Sequence, residues 1–397
     1  MRILYISREN APGSHGGAVH TWQVAFQLAR RGNRVTLLCN RSPWEKKRES
    51  VAGVRVIRHT ALVAGKKVPL LLAASLPALR NERFDLIVER FDTFGGLGAL
   101  MAQATGVPLC LEVNYPHLEE MLWKWRMSGS AAARWKGIHR SLQAWNHWQY
   151  KKAAIVIAPR PSMVPRECRK RLKLVHWGAD PDHFQPVKQR QMDATALKQR
   201  LGLESSRIVI SHGSFQPWHG VALFPDIIRL VAARKRDVVF AFIGRSRDLH
   251  RMQNRLEQMG LSAHCRFYGR VAYSALPDYL NAADVALAPF SSSAYEPLLR
   301  FGFFWSPAKL FEYMASSLPI VTTDQDYLQQ VVQAEGAGIC VAQDDPAALA
   351  EAVLDLLDQP ARCRLMGALG RSALLQRYSW QVHAGLLEGW FKELFAK

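Results

Sequence analysis

A lysine and a glutamate three residues apart stand at the start of a predicted helix, in the segment WSPAKLFEYMA. Ser306 is a favoured N-cap and Pro307 a favoured first helical residue, so the sequence predicts that the helix begins there. Residues three apart share one helix face, which puts Lys309 and Glu312 side by side near the N-terminus. The backbone N–H groups of a helix N-terminus attract anions, and a lysine strengthens the attraction.

This pattern has two interpretations. A phosphate near residues 306–309 and a ribose held by the carboxylate of Glu312 would together accommodate a nucleoside diphosphate. Lys309 would then stabilise a departing diphosphate. The alternative is an ordinary capped helix with an ion pair between residues three apart. The residues of this segment fit both interpretations equally well.

Two adjacent glycines, Gly16 and Gly17, close the loop that follows the first predicted strand. Their small size lets a backbone approach a ligand closely, and their position before a predicted helix favours an anion site over a plain tight turn. The loop lacks a GxGxxG fingerprint, and Cys39 and Asn40 end the next strand where a nicotinamide site would need an acidic residue. The sequence therefore argues against a dehydrogenase.

Polar residues also end the predicted strand at 107–113, in the segment LEVNYPHLEE. A carboxylate at this place could orient or deprotonate an acceptor hydroxyl. We interpret Glu112 and Asn114 as site residues. Glu119 and Glu120 are better explained as acidic residues that stabilise the first turn of the following helix.

The elements that would position these residues occur in two similar series along the chain. Short apolar strands alternate with helical periodicity, which is typical of parallel α/β sheets. The predicted strands are 2–7, 35–39, 84–88, 107–113, 207–211, 238–243, 285–289 and 319–323. The sequence therefore predicts two doubly wound, Rossmann-like α/β domains that face a central cleft, since such sheets bind ligands beyond the carboxyl ends of their strands.

Length and composition limit the class of protein. The chain has 397 residues, enough for two domains, and its 49% hydrophobic and 21% charged residues exclude a disordered chain. No apolar run approaches the ~20 residues of a membrane-spanning helix, and no signal peptide is visible, so we expect a cytoplasmic protein. Six scattered cysteines without a CxxC pair predict buried thiols and no metal site.

The charge is strongly positive, with 52 Lys and Arg against 33 Asp and Glu and a net charge of +19. Such a surface attracts polyanions. Residues 121–152 contain no acidic residue and mix tryptophans with basic side chains, which suits a helix on an anionic membrane surface. The alternative is a helix pair with a solvated basic face. We predict the membrane surface as a partner, on its inner face, and no nucleic acid.

Several motifs resemble the large retaining family 4 of glycosyltransferases, which has the GT-B fold. The segment SPAKLFEYMASSLPIVTTD (306–324) is similar to the donor-site helix of that family, and in particular to an exopolysaccharide-associated subset with the pattern SPxKLFEYM. Phe304 stands where many members carry a further glutamate. The other similar segments are 1–39 with its paired glycines, VHWGADPDHFQP (175–186), NAADVALAP (281–289) and RYSW (377–380).

The resemblance implies a GT-B fold with an acceptor-side domain at 1–183, a donor domain at 184–378, and a last helix, 379–397, that packs back on the first domain. It implies a retaining, hexosyltransferase-like enzyme without cofactor or metal. Such an enzyme moves a sugar from a nucleotide diphosphate sugar to an acceptor hydroxyl, on a lipid-linked glycan or exopolysaccharide precursor. The same fold also hosts sugar-nucleotide 2-epimerases, and a non-catalytic basic binding protein is the third alternative.

The resemblance also implies the residues of the site. In the loop 213–220, His219 occupies the place of a family lysine and no arginine is present, so Lys309, Arg245 or a protonated His219 would stabilise the diphosphate. The implied catalytic residues are Glu112, Asn114 and Lys309. The implied donor-binding residues are Gly16, Gly17, Ser214, His219, Arg245, Ser306, Pro307, Lys309, Leu310 and Glu312.

Overall fold

The computed structural model describes residues 1–59, 82–127, 136–187, 193–204 and 206–396. These residues form two compact units. The first consists of Met1–Trp177, Phe304–Ser306 and Trp380–Lys397, and the second of Gly178–Phe303 and Pro307–Ser379. The chain leaves the first unit after Trp177, earlier than the predicted boundary at 183, and returns to it for three residues at 304–306.

The first unit is built on one sheet. In the described part of the chain its strands are β1 (Arg2–Ile6), β2 (Arg34–Asn40), β3 (Arg48–Val51), β4 (Val54–His59), β5 (Leu86–Arg90), β6 (Leu109–Glu112), β7 (Ile155–Ala158) and β8 (Leu172–Leu174). Their order is β3-β4-β2-β1-β5-β6-β7-β8, and β3 alone among these strands runs antiparallel to its neighbour. Because β1, β2, β5 and β6 are parallel, their carboxyl ends lie at one edge of the sheet.

The second unit is built on a parallel sheet with the strands β9 (Arg207–His212), β10 (Val238–Ile243), β11 (Cys265–Gly269), β12 (Val285–Ala288), β13 (Ile320–Thr323) and β14 (Gly338–Val341). Their order is β11-β10-β9-β12-β13-β14. The strand order therefore reverses between β9 and β12. Ligands of doubly wound sheets bind at such a reversal, beyond the carboxyl ends of the two strands.

Helices cover both sheets. Within the described ranges they are α1 (Gly16–Arg30), α2 (Leu97–Thr105), α3 (His117–Met127), α4 (Lys136–Lys152), α5 (Ala194–Arg200), α6 (Phe224–Arg234), α7 (Arg247–Gln258), α8 (Leu276–Ala282), α9 (Glu296–Phe301), α10 (Ala308–Ala315), α11 (Asp326–Leu328), α12 (Pro346–Asp358), α13 (Pro360–Ala373) and α14 (Trp380–Glu393). As expected, Glu119 and Glu120 lie in the first turn of α3.

Buried apolar residues hold each unit together. All six residues of β10 are buried, as expected for a strand covered on both faces. Trp380 of α14 lies in the hydrophobic core of the first unit, together with Ile3 and Tyr5 of β1. A hydrogen bond of 2.9 Å from Arg31 Nε to Glu388 Oε2 joins the end of α1 to α14. The last helix is therefore an integral part of the first unit.

The predicted fold class, two parallel α/β domains, is confirmed by these sheets. The predicted start of the first helix was wrong. Helix α1 begins at Gly16 rather than after Gly17, because the His15 side chain caps it by accepting a hydrogen bond from Ala18 N–H. The β3–β4 hairpin was not foreseen. No helix in the described part of the chain is long and apolar enough to cross a membrane.

Candidate functional site

Helix α10 starts one residue later than predicted. Its N-cap is Pro307, and no side chain caps it. The predicted N-cap, Ser306, is assigned to the first unit, where its Oγ accepts a hydrogen bond of 2.8 Å from Trp177 N–H. Since the hydroxyl has this partner, Ser306 does not cap the helix. Leu310 is a fully buried hydrophobic core residue.

Lys309 is a buried cation at the start of α10, only 8% exposed. Its Nζ lies 5.3 Å from the centre of the Phe290 ring, just beyond β12. In the described ranges no carboxylate forms an ion pair with it. Burial lowers the pKa of Lys309 to about 8, and the more distant charge of Glu312 opposes that shift. An ammonium in this setting is suited to receive an anion.

The turn after β9 brings backbone next to this ammonium. Gly213 has φ +132°, and a Cβ built on it would lie 3.2 Å from Lys309 Nζ. Gly244, after β10, has φ +143°, and its Cβ would lie 2.0 Å from the carbonyl oxygen of Gly213. Side chains at these two positions would be strained, and the one at 244 would collide with backbone. The missing side chains therefore let the backbone of the two turns pack closely, and the turn at Gly213 lies directly beside Lys309.

Glu312 is buried one turn along the same helix. Its Oε1 accepts a hydrogen bond of 3.4 Å from Tyr273 OH, and its Oε2 lies 3.2 Å from His212 Nε2. Burial raises the pKa of Glu312 to about 7, against the opposing effects of Tyr273 and Lys309. Burial and the charge of Lys309 lower the pKa of His212 to about 3, so this ring is neutral near pH 7.

These contacts do not match the ordinary capped helix that was the alternative interpretation of the segment, and the nucleotide site stays a prediction. An ordinary capped helix with a Lys309–Glu312 ion pair is not what the described residues form, since α10 lacks a side-chain cap and Glu312 contacts His212 and Tyr273 instead. Sequence analysis missed His212 and Tyr273. His212 directly precedes the glycine turn, which was a usable signal, whereas Tyr273 comes from a distant 3-10 turn (Tyr273–Ala275).

His219 does not carry the charge that was considered for it. Its Nδ1 accepts a hydrogen bond of 3.2 Å from Gln216 N–H, within the turn Pro217–His219. Burial and the nearby Lys309 hold the pKa of His219 well below its usual value, so its ring is neutral near pH 7. Ser214 and Arg245 lie with exposed side chains in the turns after β9 and β10, at the same sheet edge as Lys309.

In the first unit, Glu112 is a buried carboxylate at the end of β6. Its Oε2 accepts a hydrogen bond of 2.8 Å from Tyr5 OH, and its Oε1 accepts one of 3.0 Å from Asn114 Nδ2. Burial alone would raise its pKa, but His20, the charge of Arg90 and the Asn114 hydrogen bond together hold the pKa well below its usual value. Glu112 is therefore a weak base with several internal partners.

His20 completes this cluster and was missed in the sequence. Its Nε2 contacts Glu112 Oε1, and its ring lies 4.5 Å from that of Trp177. Burial lowers the pKa of His20, although Glu112 opposes the shift, so we treat the ring as neutral. Asn114 is engaged on both sides, because its Oδ1 accepts a hydrogen bond of 2.7 Å from Trp177 Nε1. His20 lies in a stretch of helical periodicity, and nothing in that local pattern indicates these contacts with residues far along the chain.

The paired glycines form the first turn of α1. A Cβ on Gly17 would lie 2.3 Å from Glu9 Oε1, so a carboxylate of the chain itself occupies the space beside this turn. The Gly17 carbonyl accepts a hydrogen bond of 2.6 Å from Arg90 Nη1. Gly16 has more room, with the Trp177 ring 3.8 Å from a Cβ built on it.

The tryptophan-rich stretch 121–152 is described in part. Residue 134 and the side chains of residues 124, 126 and 136 lie outside the description. In α4, Trp145 Nε1 donates a hydrogen bond of 3.0 Å to the carbonyl of Gly95, and its ring stacks on Trp148 at 4.8 Å. Trp145 is thus partly engaged in packing the unit, while Lys151 and Lys152 are exposed. Among described residues, no cluster of His, Cys, Asp or Glu is arranged to hold a metal ion.

Comparisons with known proteins identify domains in both halves of the chain. Residues 14–183 match the family described as Glycosyltransferase Family 4, and residues 206–359 match Glycosyl transferases group 1. The lipopolysaccharide core biosynthesis mannosyltransferase LpsB of Rhizobium meliloti is 25% identical over 225 residues, which are 55% of this chain and 59% of that protein. The aligned part is thus less than two thirds of that relative's length.

Solved structures resemble the chain along its whole length. Sucrose-phosphate synthase from Thermosynechococcus elongatus has a TM-score of 0.76 at 20% identity, over 100% of this chain and 99% of that one. HepE from Anabaena, solved in complex with UDP, has a TM-score of 0.71 at 14% identity, over 99% and 100%. At these identities the likeness concerns the fold alone.

Proposed function

The chain belongs to the glycosyltransferases of the GT-B fold, and from that premise we propose that it transfers a sugar from a nucleotide diphosphate sugar to an acceptor hydroxyl, with retention at the anomeric carbon. The bond between the anomeric carbon and the diphosphate breaks, and a bond to the acceptor oxygen forms. The acceptor proton goes to the departing diphosphate. No cofactor or metal takes part in the proposal.

The buried ammonium of Lys309 is the observation that carries this proposal. A cation at 8% exposure with a lowered pKa is costly to keep unless it serves an anion. It lies beside the glycine turn after β9, where the strand order of the sheet reverses. We propose that Lys309 binds the diphosphate and stabilises its charge as it departs.

Glu312 is proposed to bind the ribose of the donor nucleotide. Its oxygens contact Tyr273 and His212, and a ribose hydroxyl would replace one of these contacts. A carboxylate that already accepts a hydroxyl hydrogen bond is a suitable acceptor for another. The solved relative HepE binds UDP, which supports a nucleotide at this kind of fold but leaves the base of this chain's donor open.

A panel of UDP, GDP, ADP, CMP and dTDP tests the donor site by thermal shift. A ligand at ~100 times its dissociation constant adds about 2.7 kcal/mol to the free energy of unfolding. We expect one nucleotide to raise Tm clearly above the rest. A folded sample that responds to none of the five would contradict the proposed site.

At pH 8, above the raised pKa of Glu312, replacing this residue with Gln should raise the Kd of the responding nucleotide by about tenfold to a hundredfold, since a hydrogen bond to a charged group contributes about 1.5–3 kcal/mol. Glu351→Gln, at an exposed glutamate of the same unit, is the matched control and should leave the Kd unchanged. Calorimetric titration of both variants measures this. Equal affinities would rule out the ribose role.

The acceptor is proposed to be a glycan, lipid-linked or part of an exopolysaccharide precursor. The relative LpsB is described as a lipopolysaccharide core mannosyltransferase, which supports this class. Transfer of radiolabelled sugar from the donor into a lipid extract distinguishes this activity from epimerisation of the sugar nucleotide, which needs no acceptor.

We also propose that residues 121–152 contact an anionic membrane surface from its cytoplasmic side. The absence of acidic residues there and the mixture of tryptophan with basic residues support this. Vesicle sedimentation tests it with a variant in which Gln replaces Lys124, Arg126, Arg134 and Lys136. We expect release from anionic vesicles, and sedimentation equal to wild type would contradict the contact.

A further inference from the structure

A tryptophan stands out on the loop between β2 and β3. Trp44 is 84% exposed, more than any other large hydrophobic side chain in the described part of the chain. The loop follows β2 and therefore leaves the carboxyl edge of the first sheet. A single exposed apolar side chain needs no explanation in itself, so its surroundings decide what it signifies.

The loop holds Trp44 outward through its own hydrogen bonds. Ser42 N–H donates to Glu45 Oε2 at 2.6 Å, and Glu45 N–H donates back to the Ser42 carbonyl at 3.1 Å. Arg41 Nε donates to the Glu45 carbonyl at 2.9 Å. Because the turn is closed in this way, binding through its tip would cost little ordering entropy.

The charges around Trp44 are unbalanced. The two nearby carboxylates, Glu45 and Glu49, both face Arg58, which is buried at 4% exposure. Lys46, Lys47 and Arg48 are exposed. No ion pair involves them within the described ranges. The charges of Arg41 and Arg58 together balance those of Glu45 and Glu49, so the three further cations at 46–48 remain beside the exposed indole.

We propose that residues 41–48 form a membrane contact, with Trp44 in the interfacial layer of an anionic bilayer and the three cations at its phosphates. Tryptophan prefers the bilayer interface, and basic residues beside it gain from the negative surface potential. Single-stranded nucleic acid would instead be expected to follow a groove with several stacking platforms, and this turn offers one aromatic ring.

The topology places this contact at the same edge of the sheet as the start of the other proposed one. Strands β2 and β6 lie in one parallel sheet, so loop 41–48 and the connection into α3 leave the same edge. Residues 121–127 of the tryptophan-rich stretch belong to α3. The loop proposal nevertheless stands on its own exposure and charge, and its failure would not affect the proposed transferase activity.

Vesicle flotation tests the proposal with phosphatidylcholine vesicles containing about one third phosphatidylglycerol, at 0.1 M salt. A basic residue near an anionic surface contributes about fivefold to partitioning, so the variant K46Q/K47Q/R48Q should partition about a hundredfold more weakly. Trp44→Ser should lose about tenfold, because the apolar ring no longer leaves water, and Trp44→Phe should recover most of it.

Leu299→Ser is the matched control, at a leucine of the second unit that is 66% exposed, and should partition like wild type. All substituted side chains are exposed, so Tm should stay within ~2 °C of wild type. Wild-type partitioning by both loop variants would overturn the proposal. So would equal binding of wild type to neutral vesicles, or a loop that is needed for binding an oligonucleotide but not vesicles.

Discussion

Replacing Lys309 with Met is expected to lower the rate of sugar transfer by about two to three orders of magnitude, as happens when a preorganised donor to a developing anion is removed. The Kd of the responding nucleoside diphosphate should rise about tenfold or more, whereas the parent nucleoside, which lacks the phosphates, should bind as before. Lys235→Met, at a lysine of the same unit paired with Asp358, is the matched control and should leave transfer unchanged.

The same substitution should not destabilise the protein. Burial lowers the pKa of Lys309 from 10.5 to about 8, which corresponds to on the order of 3 kcal/mol spent on keeping the charge buried. Methionine has a similar length and no charge, so the free energy of unfolding at pH 7 should stay equal or rise. A variant that loses both transfer and stability would show that Lys309 has a structural role, and would contradict its proposed role in binding the donor.

The pH dependence has a definite sign. Between pH 8 and 10.5 the unfolded chain keeps the Lys309 proton while the folded chain releases it. Stability therefore rises with pH over that window in wild type, and the Met variant lacks that contribution. Diphosphate binding changes in the opposite sense, because it needs the charged ammonium and should weaken above pH 8. Urea unfolding and nucleotide titration at pH 7, 8 and 9 measure the two effects.

The second large effect is expected at Glu112. Glu112→Gln should lower the free energy of unfolding by about 2–4 kcal/mol, since the buried Arg90 would lose one of two nearby carboxylates, the other being Glu9 at 3.8 Å. For a unit of this size that is a fall in Tm of about 10 °C. Tyr5→Phe removes one hydrogen bond to the same carboxylate and should cost about 1 kcal/mol.

This experiment separates two roles of the carboxylate. A base that deprotonates the acceptor would lose about two to four orders of magnitude in rate when changed to Gln, with stability largely kept. The internal partners Tyr5, Asn114 and His20 lead us to expect loss of stability first. Acid unfolding adds a check. The lowered pKa of Glu112 contributes stability above about pH 4.5 that is lost as pH falls, and the Gln variant should lack this loss.

Local sequence patterns predicted the strands well where burial is continuous, and failed where charged residues are buried by distant partners. Strand β10 has the predicted bounds, 238–243. Strand β5 was predicted to end at Val88, yet it continues through Glu89 and Arg90. Glu89 accepts hydrogen bonds from Gly96 and Gly98 N–H at 2.9 Å, which makes its burial tolerable. Arg90 instead donates a hydrogen bond to the carbonyl of Gly17, 73 residues earlier, and no short sequence window contains both groups.

The residues of the candidate site show the same difference between local sequence patterns and contacts between residues far apart in the sequence. Lys309 and Glu312 were found because their spacing on one helix is visible in the sequence. Ser306 was predicted to cap helix α10 because serine is a favoured N-cap. Its hydroxyl instead accepts a hydrogen bond from the N–H of Trp177, which lies far away in the sequence. His20, His212 and Tyr273 were missed because each contacts a predicted residue across a long stretch of chain.

The position of α14 has a consequence for the order in which the protein is made. Trp380, Leu387 and Phe391 fill the core around β1 and β2, although they follow the whole second unit in the chain. Part of the apolar surface of the first sheet therefore stays uncovered until the whole second unit has been synthesised. A nascent chain stalled before residue 380 would present that surface to chaperones, and a shortened gene for the amino-terminal half alone would yield an incomplete core.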